Sequence, residues 1–144
     1  MCIRDSSVTI ERDGWGVPYV LGEDRQAAQF GLGYASAQDR LWLWDLLRAV
    51  GRGEASRKLG PSQTTFDLDL EFGVPGGYSE EELQRIVDDG VAKIGPLGQT
   101  FLADTESFVA GMNAYLDFLQ TPAGLAEIPP EYATLGLLLS LIHI

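Results

Sequence analysis

The chain has 144 residues, 45% of them apolar and 22% charged, which is ordinary for one globular domain with a sizeable core. With 21 acidic against 10 basic side chains its net charge is −11, which argues against nucleic acid or anionic membrane as a partner, because both need a positive face. The closing apolar run is far too short to span a bilayer, and the acidity reads most simply as a solvated surface.

Val8-Thr9-Ile10 alternates as a half-buried strand does. Asp13-Gly14 is a turn signal, and Val17 to Leu21 reads as a second strand in which Pro18 needs an edge or a non-bonded ladder position. The two should form a hairpin with a turn looser than two residues. Asp24 is suited to cap a helix running from Arg25 to about Val50. Phe30, Tyr34, Ala37, Leu41 and Trp44 form one face of it. Leu32, Ala35, Trp42, Leu43, Leu46 and Leu47 widen the apolar surface to most of the circumference, so the helix is expected to be buried. At about 1.5 Å per residue it would run roughly 40 Å.

Gly51 and Gly53 interrupt this helix, and Glu54 to Leu59 allow one or two further turns before Gly60-Pro61. Residues 60–78 read as an irregular connection with a short helix or extended piece. Ser79 followed by Glu82 is a capping box, which starts a helix reaching about Ile94. Gly95-Pro96 ends it and opens another, with Phe101, Thr105, Phe108, Met112, Tyr115 and Leu119 in one stripe, broadened by Leu102, Val109 and Leu116. Thr121-Pro122 ends that helix, and residues 122–130 read as loop. The fold class expected is α+β: an N-terminal β-hairpin followed by a mostly helical segment.

Met1-Cys2-Ile3-Arg4-Asp5-Ser6 and Leu139-Ser140-Leu141-Ile142-His143-Ile144 resemble translated sequencing-adapter sequence. Residues 1–6 and 139–144 are therefore expected to be artefact, and residues 7–138 the genuine segment. The only Cys and the only His fall in these tails, which leaves residues 7–138 without a Cys/His metal site, a disulfide or a His-based triad. No signal peptide is visible, and an artificial start would hide one.

Gly31 and Gly33 lie inside a helix, where each costs about 1 kcal/mol relative to Ala. Close approach of another backbone is the favoured reason. A phosphate-cradling loop is the weaker alternative, since no strand leads into these glycines and no Lys follows them. Asp39 and Arg40 find no opposite charge on their own helix faces, so they need partners from elsewhere. A structural ion pair or backbone clamp, for instance to the hairpin, is preferred to a catalytic acid or a substrate carboxylate clamp. Asp45 and Arg48 read as an ordinary surface pair, and Trp42 and Trp44 as core on different faces. Glu80-Glu81-Glu82 suits a helix N-terminus and lacks the alternating oxygen ligands of a calcium loop. Asp88-Asp89 reads as a solvated face.

Several blocks in order resemble the penicillin acylase family of N-terminal nucleophile hydrolases, specifically the front of its small (alpha) chain. They are Gly14-Trp15-Gly16-Val17-Pro18, Gly31 to Trp42, Asp45-Leu46-Leu47-Arg48, Gly53 to Gly60, Phe108-Val109-Ala110-Gly111-Met112-Asn113-Ala114-Tyr115, and Pro129-Pro130-Glu131-Tyr132 with Leu135-Gly136. Two positions depart from the family's habit of His: Tyr19 after Val17-Pro18, and Ser36 before Ala37-Gln38-Asp39-Arg40.

The resemblance implies a four-layered αββα sandwich and a zymogen cut into a small and a large (beta) chain. The large chain would begin with the nucleophilic Ser, whose own α-amine is the general base. None of Ser7, Ser36, Ser56, Ser62, Ser79 or Ser107 resembles that residue. The expectation is thus a non-catalytic fragment of a hydrolase of acyl amides, penicillins and N-acyl homoserine lactones being the candidate substrates. It carries no catalytic, cofactor-binding or metal residue of its own, and calcium would belong only to the full-length enzyme. Its partner is the missing large chain, and its location by resemblance is periplasmic or secreted. The rival reading is a stand-alone acidic helical module that binds another protein.

Overall fold

Val8 and Ile10 are buried on one side of a real strand, β1 (Val8–Arg12), which pairs antiparallel with β2 (Pro18–Gly22) from Val8↔Gly22 to Arg12↔Pro18. The computed structural model describes residues 8–73 and 77–134. The readings above on residues 1–6, Ser7, Leu135-Gly136 and residues 139–144, including Cys2 and His143, lie outside these. The hairpin loop is the looser turn expected. The Asp13 side chain accepts from the N–H groups of Trp15 and Val17, both at 2.9 Å, and Pro18 opens its strand, where the ladder ends.

Helices follow: α1 (Arg25–Gly51), α2 (Ala55–Leu59), α3 (Gln63–Leu68) running into a π-helical turn at Asp69–Gly73, α4 (Glu80–Ile94), α5 (Pro96–Leu119), a 3-10 turn at Leu125–Glu127, and α6 (Pro130–Thr134). The described chain is thus mostly helical with one two-stranded hairpin, and the layered sheets of a sandwich are not among the described residues. These residues divide into two compact units, 8–40 with 91–128, and 41–90 with 129–134.

In the first unit Asp24 caps α1, accepting from the Ala27 N–H at 2.7 Å. Tyr34, Ala35 and Ala37 of α1 and Met112, Tyr115, Leu116 and Leu119 of α5 are buried in its core. Full burial of each large apolar side chain contributes about 1.5–3 kcal/mol. Gly33 shows the close backbone approach expected of it, whereas Gly31 makes room for side chains of the hairpin. A Cβ on Gly33 would stand 1.9 Å from the Phe108 carbonyl oxygen, and one on Gly111 would stand 1.9 Å from that of Phe30. A Cβ on Gly31 would strike Val8 and Val20 of the hairpin at 2.6 and 2.5 Å. Backbone lies against backbone at the α1–α5 crossing, which offsets the propensity lost to glycine. Tyr34 and Tyr115 meet edge to face there, with centroids 5.2 Å apart.

In the second unit Leu41, Ala49, Ala55 and Tyr132 are buried, and Trp42 packs edge-on against Tyr132 at 5.4 Å. Asp69 accepts from the N–H groups of Ala55 and Ser56 at 2.6 and 3.0 Å, so it caps α2 from the turn that follows α3. Ser62 and Thr65 form a capping box on α3, and Ser79 and Glu82 form the expected one on α4.

Four details differ from expectation. Arg40 has non-helical dihedrals (φ −142°, ψ 28°), so α1 is broken where one straight rod was expected. Leu32, Leu43, Trp44 and Leu47 are exposed, so α1 is not buried all round and Trp44 is not core. In α5 the stripe holds only towards the C-terminal half. Phe101 and Thr105 are exposed, and Asp104 takes the buried place. The stretch read as loop at 122–130 contains a 3-10 turn and leads directly into α6 at Pro130.

Candidate functional site

Asp39 is paired with the hairpin. The Arg12 guanidinium donates to both its oxygens, at 2.8 and 3.2 Å, and also to the Gln38 side chain and the Gly16 carbonyl, each at 2.8 Å. Arg12 therefore ties β1 to α1 with three hydrogen bonds and to its own loop with a fourth. Both partners are partly solvated, so the pair contributes about 1 kcal/mol at most. Arg40 is exposed and, among the described residues, its side chain donates to the Asp39 carbonyl at 3.4 Å. Asp39 and Arg40 are thus not brought together as an acid and a clamp. The observed contacts are those of the structural reading.

Asp45 is not the surface residue the spacing suggested. It is fully buried, with one carboxylate oxygen facing the Arg48 guanidinium at 3.4 Å. The other accepts from the Tyr132 hydroxyl at 3.1 Å and is ion-paired with Lys58. The Lys58 ammonium also lies over the Trp42 and Tyr132 rings, 5.8 and 5.4 Å from their centroids. Burial, then the Asp45 charge and hydrogen bond, raise the Tyr132 phenol well above its ordinary value, so it stays a donor. A signal for the burial of Asp45, though not for its partners, was present in the sequence. Asp45 lies four residues from both Leu41 and Ala49, which are buried.

Asp104 forms another short ion pair. Arg25 Nε donates to both its oxygens at 2.8 Å, and Nη2 to one at 2.6 Å. The hydrogen bonds from Arg25 hold the Asp104 carboxyl below the usual range. The pair stands beside a groove of about 360 Å³, otherwise lined by Ile94, Leu97, Gly98, Thr100 and Phe101. Gly111 and Tyr115, seven and eleven positions further on, share the buried face with Asp104, which is how the helical period could have found it.

Ser62 and Ser79 cap helices, Ser107 donates to the Ala103 carbonyl, and Ser56 lies at the α2 end capped by Asp69. Burial pushes the Asp69 carboxyl up, but its hydrogen bonds from Ser56 and Ala55 outweigh that and hold it below the usual range. Among the described residues no group of three or more His, Cys, Asp or Glu side chains is placed to hold a metal ion. No described helix is long and apolar enough to cross a membrane.

The profile of the penicillin amidase family matches residues 7–140. A penicillin acylase 2 proenzyme from Pseudomonas sp. (strain SE83) is 29% identical over 129 residues, which is 90% of this chain and 14% of that protein. An acyl-homoserine lactone acylase from Pseudomonas syringae pv. tomato is 40% identical over 64 residues, 44% of this chain and 8% of that protein. Among solved structures, a thermostable penicillin G acylase from Alcaligenes faecalis aligns with a TM-score of 0.68 and 27% identity, over 90% of this chain and 62% of the matched one. The chain therefore spans about one seventh of the length of the proenzyme it matches.

Proposed function

The chain belongs to the penicillin amidase family, and from that premise we propose that it is a supporting segment of an acyl amide hydrolase whose nucleophile lies outside it. The observation that carries this reading is the pair of coverages. The matching stretch makes up 14% of a relative named as a proenzyme, but 62% of the matched chain in an acylase structure. That contrast favours a precursor cut into unequal chains, with this segment on the smaller. The polar assemblies described above, each tying one element to another, suit a scaffold role.

In the whole enzyme the large chain begins with Ser. Its α-amine, with an ordinary pKa of about 8, takes the hydroxyl proton as Oγ attacks the amide carbonyl. An oxyanion hole holds the tetrahedral intermediate. The C–N bond breaks, the amine leaves with the proton, and water hydrolyses the resulting ester. The fold of the assembled enzyme is the layered αββα sandwich, with the present hairpin and helices as one part of it. The substrate is an acyl amide, a penicillin or an N-acyl homoserine lactone, and the enzyme works in the periplasm or outside the cell.

The test begins with the adjoining DNA, which should encode several hundred more residues. The full-length protein should then be purified and assayed on chromogenic phenylacetyl amides and acyl homoserine lactones, and the larger mature chain sequenced from its N-terminus. Turnover with an N-terminal Ser is expected. A stop codon directly after residue 144, or turnover by the 144-residue chain alone, would refute the reading.

A further inference from the structure

Helix α4 is the most amphipathic element of the chain, yet none of its residues is buried. Leu83, Ile86, Val87, Gly90 and Ile94 recur at three- and four-residue steps and make one continuous apolar face. Its four large side chains are 39–60% exposed. The helix does not wait for a partner in order to form. Ser79 and Glu82 cap it reciprocally, and Arg52 grips Glu80 at 2.5 Å. A preformed helix loses little entropy on docking. The flanks and the opposite side carry Glu80, Glu81, Glu82, Asp88 and Asp89 against Arg85 and Lys93. Helices that lie on anionic membranes are rich in Lys and Arg on that side, so this balance points away from a lipid surface and towards protein.

We propose that the Leu83–Ile86–Val87–Ile94 face of α4 is a docking face for the remainder of the precursor, seated helix-in-groove against the large chain. The proposal rests on the functional reading above. The occupant follows from length: about six sevenths of the matched proenzyme lies outside the aligned stretch, and a stripe of anchors at i, i+3, i+4 and i+11 is the pattern an apolar groove accepts. The acidic flank calls for a groove whose rim carries no excess negative charge.

Thiol labelling tests this in the full-length protein. With any native cysteine replaced by Ser, Ile86→Cys and Val87→Cys probe the apolar face, and Asp88→Cys probes the polar one. Maleimide should label positions 86 and 87 at least about tenfold more slowly than 88 in the full-length protein, because only local opening exposes a docked face. In the isolated chain at low concentration all three should react alike. Equal rates in a full-length protein that hydrolyses amides would overturn the proposal while leaving the functional reading intact. A full-length protein without amidase activity would sink that reading instead. Protection of the full-length protein that appears only as its concentration rises, or only on adding anionic vesicles, would assign the face to a second copy or to lipid and overturn the proposal.

Discussion

Gly33 and Gly111 are the residues on which the α1–α5 crossing turns. An added Cβ at either would have to move a backbone carbonyl, so Gly33→Ala and Gly111→Ala should each destabilise by about 1–3 kcal/mol. Gly90 of α4 has nothing within 4 Å of its Cβ position, and Gly90→Ala should stabilise by about 1 kcal/mol. Pulse proteolysis in urea, run at low concentration, reads both signs, and a uniform gain from all three would contradict the close packing. Asp45 is a second such residue. Asp45→Ala strands Lys58 beside buried rings and should cost about 3–5 kcal/mol, whereas Asp45→Leu with Lys58→Met should recover most of that loss. A double variant as unstable as the single would show that the charge pair does more than satisfy itself.

The buried phenols give an alkaline signature. Burial raises Tyr34, Tyr115 and Tyr132, Tyr115 to about 12. Groups raised on folding stabilise the native state fully below their unfolded value of about 10, and that contribution is lost as pH rises through the folded one. Tyrosinate absorbance should therefore rise in two stages, the later one coinciding with loss of helical circular dichroism. Ionisation of all five tyrosines together near pH 10 with helix intact would contradict the packing.

At the scale of elements, most of the architecture was legible because each boundary is set locally. The Asp24 cap, the Ser79–Glu82 box and the Gly95-Pro96 junction are short-range chemistry, and the helices begin and end there. The break in α1 was not legible. Ala37-Gln38-Asp39-Arg40-Leu41 holds neither Pro nor Gly, and the break stands where Arg12, far away in sequence, grips Gln38 and Asp39. The Asp45–Lys58–Tyr132 cluster was hidden for the same reason, since Tyr132 is 87 residues from Asp45. Asp39 was read correctly as needing a distant partner because its own helix offers none.

The capping and clamping carboxylates also set acid behaviour. Hydrogen bonds from Arg25, Arg52 and Ser79 hold Asp104, Glu80 and Glu82 below their ordinary values. Carboxyls depressed on folding stabilise above their unfolded pKa of about 4, and that stability is lost as pH falls through the folded values. The urea midpoint should hold level from neutral pH to about 5 and fall below about 4. A midpoint that rises on acidification would contradict the pairing.

For the whole molecule, exposed apolar surface is the leading property. Trp15, Tyr19 and Leu21 on the hairpin, Leu43 and Leu47 on α1 and the whole α4 face are open to solvent. Scattered apolar residues are normal, but continuous faces mark surfaces that another protein covers. The isolated chain should therefore self-associate or bind a hydrophobic dye, and the full-length protein should not. A cooperative, dye-silent, monomeric melt of the isolated chain would count against this.

The central claim is that this segment supports the site of amide cleavage without supplying its reacting atoms. Phenylacetyl amide hydrolysis, measured side by side for the 144-residue chain and the full-length protein, tests it most directly. Turnover confined to the full-length protein is the predicted result, and turnover by the 144-residue chain alone would contradict it.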